Sequence, residues 1–413
     1  MLAQKHLINL VLSLILATAY TYYTPYDTRG YDAKGHIQVV ELMAARGSLP
    51  LLGESWESYH PPLYYLTAFA WDLLWGGHIS SRNLQGLALV IFFLTALIAG
   101  VFFRRYPHLP FLASFSFLLI PGYLFFSARI NNDVMLPLMG MLVYMGSLSY
   151  WDKPGVRKAF LLGLLAALAM AIKLNAFAIW LSLGSCLLFG PSGRLASDKC
   201  QFLRMALALM PGALFLAGWM LRSYLETGVL FYSNALFLTP TLSVPTTAYK
   251  FFGFDFKAFL SQPSTDPFGG QIRDSFWTYL FSTYLIGEFA FPASWTPLIT
   301  TMRTAFLLVI ACLLFGVMRW RKNWHDPLFR ASFIYFGWQL LFVVLIAIKQ
   351  PFSCSMDARY LAPALLPLAV LIGLGWRQAQ EATGLWNLIA RFAQVLFPAL
   401  VSIFYILLFV GGY

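Results

Sequence analysis

Long apolar runs separated by short polar segments dominate the chain, and this pattern predicts membrane-spanning helices. Runs of about 20 residues, the helical length that crosses the hydrocarbon core of a bilayer, recur along all 413 residues. The predicted spans are 7–23, 84–103, 109–127, 133–150, 158–173, 175–190, 202–222, 300–318, 331–349, 358–376 and 391–410. Because the runs are continuous, with none of the short alternating strands of a barrel, the predicted fold class is all-α. We expect a polytopic transmembrane helical protein of about eleven spans in one integral membrane domain, residues 1–413.

Two segments interrupt this pattern, and both are predicted to be outer loops. In the first outer loop, 24–83, the stretch Gly30–Trp75 favours two short helices at the membrane surface, joined by a turn-rich loop. The second, 225–295, precedes the last four spans. It begins rich in Pro, Ser and Thr and ends in an amphipathic helix, within DSFWTYLFSTYLIGEFAF, that we expect along the membrane surface. Long loops in compact proteins usually carry function.

Composition and charge place the chain in a membrane rather than on nucleic acid. The sequence is 59% hydrophobic and 11% charged, against about 25% charged in soluble domains. With the N-terminus inside, the inner loops hold all of the net charge of +11, as the positive-inside rule expects. We therefore predict a multi-pass cell-membrane protein with a cytoplasmic N-terminus and an active site on the outer face.

Asp32 and His36 begin the first predicted surface helix. Asp is a preferred helix N-cap, so capping is the default explanation for Asp32. His36 stands four residues later and shares its helix face. The pair has three interpretations: it positions a nucleophile, it binds a metal ion, or it is a solvated surface pair.

The motif Tyr59-His60-Pro61-Pro62 opens the second predicted surface helix, where two prolines suit the first turn. In one interpretation the helix lies in the interface and His60 stands near its N-cap. In the other, His60 and a nearby Glu54 or Glu57 face the same cavity as Asp32. The residue pattern favours neither.

Further acidic groups begin later spans on the same predicted side. Asn132 or Asp133 in ARINNDV and Asp357 in SCSMDARY are candidate helix caps. Asp32, Asp133 and Asp357 each have a basic residue within four positions, respectively Lys34, Arg129 and Arg359. Since the neighbouring outer loops are short, these groups can converge on one site.

Lys173 interrupts an apolar run near the predicted outer surface. It either extends to the interface or serves function, as ionisable residues beside hydrocarbon often do. Arg side chains suit bidentate phosphate contacts, and a lipid phosphate at the membrane surface is a natural partner. The candidate anion-binding residues are Lys173, Arg129, Arg222, Arg273 and Arg359.

Five segments together resemble the GT-C glycosyltransferases: GYDAKGH, YHPPLYY, ARINNDV, FWTYLFSTYLIGEF and DARYLAPALLPL. The resemblance is strongest to bacterial and archaeal relatives of the protein O-mannosyltransferases and of the lipid A aminoarabinose transferase. It implies a polyprenyl-phosphate sugar donor, a non-cytoplasmic acceptor, and an acidic residue of the first outer loop, here Asp32, acting on that acceptor. Protein mannosyltransferases typically have an Asp-Glu pair there, whereas Asp32 is followed by Ala33, which leaves the acceptor class open among protein, lipid and envelope glycan.

The function predicted on this basis is transfer of a hexose or pentose, with inversion, using Asp32 as general base. The residues expected to support catalysis or hold the acceptor are His36, Tyr59, His60, Asn132 and Asp133. Those expected to hold the donor phosphate are Lys173, Arg359, Arg129 and Arg273. No cofactor is required, although Asp32, His36 and His60 are a candidate ligand set for a divalent metal ion.

A transporter or flippase of a lipid-linked or anionic solute is the alternative from another class. It would use the same outer charges as a binding site. The spans carry almost no deeply placed charge apart from Lys173, and no internal repeat is visible, so the pattern favours the transferase.

Overall fold

Helices account for nearly all of the regular structure in the computed structural model, which describes residues 2–28, 30–190, 199–233, 242–319 and 324–411. The α-helices are α1 (Leu2–Tyr23), α2 (Ala33–Arg46), α3 (Leu63–Leu74), α4 (Ser81–Arg105), α5 (Phe111–Leu118), α6 (Pro121–Leu124), α7 (Leu136–Asp152), α8 (Val156–Ile172), α9 (Phe177–Phe189), α10 (Lys199–Thr227), α11 (Ala248–Phe252), α12 (Phe256–Ser261), α13 (Phe276–Ile286), α14 (Thr296–Met318), α15 (Pro327–Lys349), α16 (Leu365–Glu381) and α17 (Leu385–Val410). Within these described ranges no β-strand forms, and pairing is limited to an isolated bridge between Ser243 and Phe352.

Fewer helices than predicted are long enough to cross a bilayer. Among the described residues, eight helices have the length and apolar character of a span, or nine if a bent pair is one span. That pair, Phe111–Leu118 and Pro121–Ala128, is bent by 43° where Pro121 cannot continue the hydrogen-bond ladder. The predicted spans 158–173 and 175–190 correspond to α8, with 17 residues, and α9, with 13. The estimate of about eleven spans was therefore too high by this length criterion, although each predicted segment is helical.

The two helices of the first outer loop form as the sequence predicts. Helix α2 ends at Gly47, whose φ of 67° is the left-handed conformation that glycine adopts without strain. Helix α3 follows the Pro61-Pro62 pair. His36, Val39, Val40 and Met43 form the buried side of α2, so this helix is anchored in the protein by an apolar stripe.

Helix α13 of the second outer segment forms, but it does not lie on the surface as predicted. Nine of its eleven residues are buried, including Phe276, Leu280 and Ile286. The small hydroxyl residues Ser282 and Thr283 are buried too. The helix is therefore a core element beside the candidate site. Residues 234–241 of this segment lie outside the described residues.

Close helix packing positions the segment that carries Arg359. A Cβ added to Gly140 on α7 would lie 1.9 Å from the carbonyl oxygen of Pro363, so only glycine permits this approach. The 3₁₀ segment Ala358–Ala364 thus packs directly on α7, just ahead of α16.

The second outer segment is fastened to the end of α15. Val244 N–H donates to the Pro351 carbonyl at 2.7 Å, and Ser353 Oγ donates to the Pro267 carbonyl at 2.6 Å. Thr265 N–H also donates to the Phe289 carbonyl at 2.9 Å. These bonds hold the segment over a cavity at one end of the helical bundle.

Candidate functional site

A cavity of about 420 Å³ brings together residues from distant parts of the chain. Its walls come from the first outer loop, from the break between α8 and α9, from the second outer segment and from the start of the last buried span. The predicted site residues that line it are Asp32, His36, Tyr59, His60, Lys173 and Arg359. A volume of this size is typical of a site for a small ligand.

Asp32 forms an ion pair with Arg359 across the cavity. Arg359 Nη1 donates to Asp32 Oδ2 at 2.7 Å. Although Asp32 occupies the N-cap position of α2, its side chain makes no capping hydrogen bond, so capping was the wrong explanation for this residue. Burial acts to raise the pKa of Asp32, but the Arg359 guanidinium and nearby His36 outweigh it and lower the pKa to about 2. The carboxylate is therefore ionised at neutral pH.

Asp357 does cap its own 3₁₀ segment, as predicted. Its Oδ1 accepts a hydrogen bond from the Arg359 backbone N–H at 3.0 Å. Its Oδ2 lies 3.5 Å from Arg359 Nε. Two carboxylates, Asp32 and Asp357, thus fix the direction of one guanidinium.

Lys173 enters the cavity from the break between α8 and α9, where its backbone is extended. Its Nζ donates to Asp133 Oδ1 at 2.7 Å, and both side chains are buried. Lys173 Nζ lies 5.1 Å from the centroid of the Tyr360 ring, and Arg359 Cζ lies 5.5 Å from the same centroid. The two cations therefore occupy one part of the cavity.

Glu57 lies between two histidines at the base of the first outer loop. Its Oε2 is 3.0 Å from His60 Nε2 and 3.9 Å from His36 Nε2. Tyr65 Oη donates to the Glu57 carbonyl at 3.0 Å and lies 2.9 Å from His36 Nδ1. Since the tyrosine has one proton and donates it to the Glu57 carbonyl, the proton in its contact with His36 is carried on Nδ1.

Burial favours the neutral forms in this cluster. It raises the pKa of Glu57 to about 7 and lowers the pKa of His36 to about 4. It also lowers the pKa of His60 well below its usual value. Asp32 differs because a cation is directly bonded to it. The cavity therefore holds one firmly ionised carboxylate, Asp32, near groups that are neutral or close to their titration points.

Four of the predicted site residues do not line the main cavity. Asp133 contacts the cavity only indirectly, because it accepts a hydrogen bond from Lys173, which lines the cavity. The amide of buried Asn132 donates to the Ile172 carbonyl at 3.5 Å. Arg129 lies near the rings of Phe126 and Phe289 and lines a small neighbouring void shared with Asp32 and Arg359. Arg273 Nη1 donates to the Pro267 carbonyl at 2.9 Å, so it braces a cavity wall from behind.

Glu288 is a cavity residue that the sequence reasoning missed. It follows α13, lines the cavity and is 3% exposed. Tyr279 Oη donates to its Oε1. Burial and, secondly, the charge of Asp357 raise the pKa of Glu288 to about 8. The available signal was an acidic residue inside an otherwise apolar run, LIGEF.

The candidate metal-ligand set does not come together as a site. Among the described residues, no group of three or more His, Cys, Asp or Glu side chains is spaced to hold a metal ion. The Asp32 carboxylate is bonded to Arg359, whereas His60 is bonded to Glu57 and His36 to Tyr65. The arrangement present does not fit a metal, and we assign no step to one.

The fold is shared with an archaeal oligosaccharyltransferase. The crystal structure of the Archaeoglobus fulgidus oligosaccharyltransferase in the apo form matches with a TM-score of 0.50 and 13% sequence identity. The alignment covers 98% of this chain and 56% of that one. The same enzyme tethered through a disulfide bond to an acceptor peptide containing the NVT sequon gives a TM-score of 0.50, 13% identity and coverage of 98% and 55%.

These matches establish the architecture. This chain spans a little over half the length of the oligosaccharyltransferase, and the low identity shows a likeness of fold alone. No protein-family model and no curated protein sequence matches the chain. The predicted all-α, polytopic helical fold is confirmed.

Proposed function

We propose that the protein is a membrane glycosyltransferase that moves a sugar from a polyprenyl-phosphate donor to an acceptor on the non-cytoplasmic side. The observation that carries the proposal is the Asp32–Arg359 pair at 2.7 Å, in a cavity that Lys173 also lines. A proton acceptor and two cations for a phosphate are the groups that such a transfer needs. The resemblance of GYDAKGH and YHPPLYY to GT-C transferases and the shared fold support the same activity.

Lys173 and Arg359, both near the Tyr360 ring, hold the donor phosphate in this mechanism. The charge of the leaving phosphate grows as its bond to the anomeric carbon breaks, and cations fixed beside it stabilise that charge. A single displacement from the opposite face inverts the anomeric centre. The phosphate leaves with the electron pair of the broken C–O bond and stays attached to the polyprenol.

Asp32 takes the proton of the acceptor hydroxyl or amine as the new bond to the anomeric carbon forms. The Arg359 guanidinium holds the pKa of Asp32 at about 2, which makes a weak base. A donor phosphate that shares Arg359 reduces this stabilisation, and the pKa of Asp32 then rises. Asp32 thus becomes a better base once the donor is bound. His36, Tyr59 and His60 line the same cavity and are proposed to orient the acceptor.

The polarity of the protein in the membrane is part of the proposal. The positive excess of the predicted inner loops places the N-terminus in the cytoplasm and the cavity outside. One structural relative was solved with a tethered acceptor peptide. We do not infer a peptide acceptor for this chain, because the two proteins share a fold at only 13% identity.

The test compares wild type with Asp32→Asn, purified in detergent and supplied with a panel of labelled polyprenyl-phosphate sugars and a membrane extract as acceptor source. Asn keeps the size of Asp but cannot accept a proton, so we expect turnover to fall about 10²- to 10⁴-fold. Asp27→Asn, an exposed acid in the same loop, is the control and should retain activity.

Equal turnover in wild type and Asp32→Asn would keep a transferase but remove Asp32 as its base. No turnover with any donor, although the donors bind, would favour the transporter. Size-exclusion chromatography and donor binding show whether Asp32→Asn remains folded.

A further inference from the structure

Three aromatic side chains stand exposed at the rim of the cavity. Tyr31, Phe268 and Trp56 are 54%, 50% and 37% exposed, respectively, and all three line the cavity. Tyr31 directly precedes Asp32, and Trp56 directly precedes Glu57. Three separate segments thus each contribute one ring to the same opening, which we call the rim platform.

Other exposed aromatic residues have a different setting. Tyr23, Trp75 and Phe252 are more exposed than any member of the rim platform, and none of them lines the cavity. A belt of Tyr and Trp at the membrane interface accounts for such residues. The belt does not account for rings that face a polar cavity containing ionised groups.

The rim platform is held in place by its neighbours. Tyr31 meets Phe268 edge-to-face, with ring centroids 6.0 Å apart. Trp56 packs on α2 at Gly35, where an added Cβ would lie 3.4 Å from Trp56 Cδ1. The loop before Phe268 is fastened by Arg273 and Ser353, which both donate to the Pro267 carbonyl. A rigid platform loses little conformational entropy when a ligand binds.

We propose that the rim platform binds a sugar ring of the acceptor, so that the acceptor is a carbohydrate or a carbohydrate-bearing lipid. The faces of a sugar ring present weakly positive C–H groups, which suit the negative face of an aromatic ring. Its edge presents hydroxyl groups, and Ser233, Gln350 and Ser355 line the cavity with matching donors and acceptors. The assignment of this sugar as the acceptor rests on the proposed function. The binding of a sugar to the rim platform does not depend on that function.

The position of the cations assigns the platform to the acceptor rather than to the donor. Lys173 and Arg359 both lie near the Tyr360 ring, and their side chains are 9% and 12% exposed, so the donor phosphate belongs in that inner part of the cavity. The platform lies at the exposed rim, which is the part open to a molecule arriving from water.

The experiment uses saturation-transfer NMR on the full-length protein in detergent, without donor. The probes are methyl glycosides and short oligosaccharides of common hexoses and N-acetylhexosamines, with a peptide of mixed sequence as the competing class. We expect glycosides to bind wild type, and Trp56→Ala and Phe268→Ala to weaken binding roughly three- to tenfold. The matched controls Trp75→Ala and Phe252→Ala should bind as wild type.

Failure to bind any glycoside, binding of the peptide alone, or equal losses in the rim and control variants would each overturn the proposal. Because this readout needs no turnover, it succeeds or fails separately from the Asp32→Asn assay. Where turnover is present, Trp56→Ala should raise the acceptor KM and leave the donor KM unchanged. A raised donor KM would instead assign the platform to the donor sugar and overturn the acceptor assignment.

Discussion

Arg359 donates a hydrogen bond to Asp32 at 2.7 Å across 327 positions of sequence. The same guanidinium is flanked by Asp357 at 3.5 Å. Because the donors of arginine lie in a fixed planar fork, Nη1 bonds Asp32 while Nε faces the Asp357 carboxylate. The Asp32–Arg359 pair joins the first outer loop to the start of the buried span Ser353–Glu381. Substitution of Arg359 therefore tests the role of this pair.

Arg359→Lys keeps the charge but loses the fork. We expect donor turnover to fall about 10- to 100-fold, because a charge-assisted hydrogen bond to Asp32 or to the phosphate is lost. The control is Arg46→Lys, which changes a half-exposed cation paired with Glu54 outside the cavity and should leave turnover within about twofold of wild type. The measurement is the initial rate at several donor concentrations. Equal effects of the two variants would contradict the assignment of Arg359 to the phosphate.

Lys173→Met should destabilise the fold because it leaves Asp133, which is 1% exposed, without its cation. Breaking a buried ion pair from one side typically costs about 3–5 kcal/mol. The double variant Lys173→Met/Asp133→Asn removes the remaining charge and should recover much of the loss in thermal unfolding experiments in detergent. It should still bind the donor poorly, because the cation is gone. Normal donor binding in the double variant would exclude Lys173 from the phosphate site.

Glu288 should make stability depend on pH. Burial, followed by the charge of Asp357, raises the pKa of Glu288 to about 8 from a usual value near 4.5. A raised pKa means that the folded state prefers the protonated carboxyl. The contribution of Glu288 to the free energy of unfolding is therefore complete below the pKa of the unfolded state and is lost as the pH rises through about 8. The melting temperature of wild type should therefore fall relative to Glu288→Gln between about pH 6 and pH 9. Parallel melting curves for the two proteins over this range would show that Glu288 does not titrate as described.

Gly35→Ala tests the packing under Trp56 and Glu57. The new Cβ would lie 2.8 Å from Glu57 Cγ, too close to be accepted without movement of a buried side chain. We expect a loss of about 1–3 kcal/mol in the free energy of unfolding and a higher acceptor KM. Gly337→Ala is the matched control, since its Cβ meets nothing within 4 Å on α15. It should be neutral or stabilise the helix by up to about 1 kcal/mol.

The sequence predicts which residues meet better than it predicts how they pair. Hydrophobic periodicity and alternation of sides place Asp32, Lys173 and Arg359 on one face, and the structure brings these three into one cavity. The basic residues within four positions in the sequence are Lys34 for Asp32 and Arg129 for Asp133. The observed partners are Arg359 and Lys173, because helix packing, which no local pattern encodes, decides which side chains face each other.

Helix α13 shows a second limit of sequence reasoning. Its apolar and hydroxyl residues alternate at helical spacing, which is the pattern of a surface helix. Serine and threonine can also be buried if they bond within their own helix or to a neighbour, as Thr283 does with the Ala358 backbone N–H at 2.8 Å. The pattern could not distinguish these outcomes, and Glu288 was missed with the helix that positions it.

The separation of 327 positions between Asp32 and Arg359 also sets the timing of biogenesis. At about 5–20 residues per second, roughly half a minute separates the emergence of the two partners from the ribosome. During that interval the acidic and histidine residues of the first outer loop have been synthesised. Arg359, whose guanidinium fixes Asp32, has not. The nascent protein therefore has no complete cavity until its last spans have been inserted. Insertion intermediates truncated before Arg359 should be inert toward lipid-linked sugars that already surround them in the membrane.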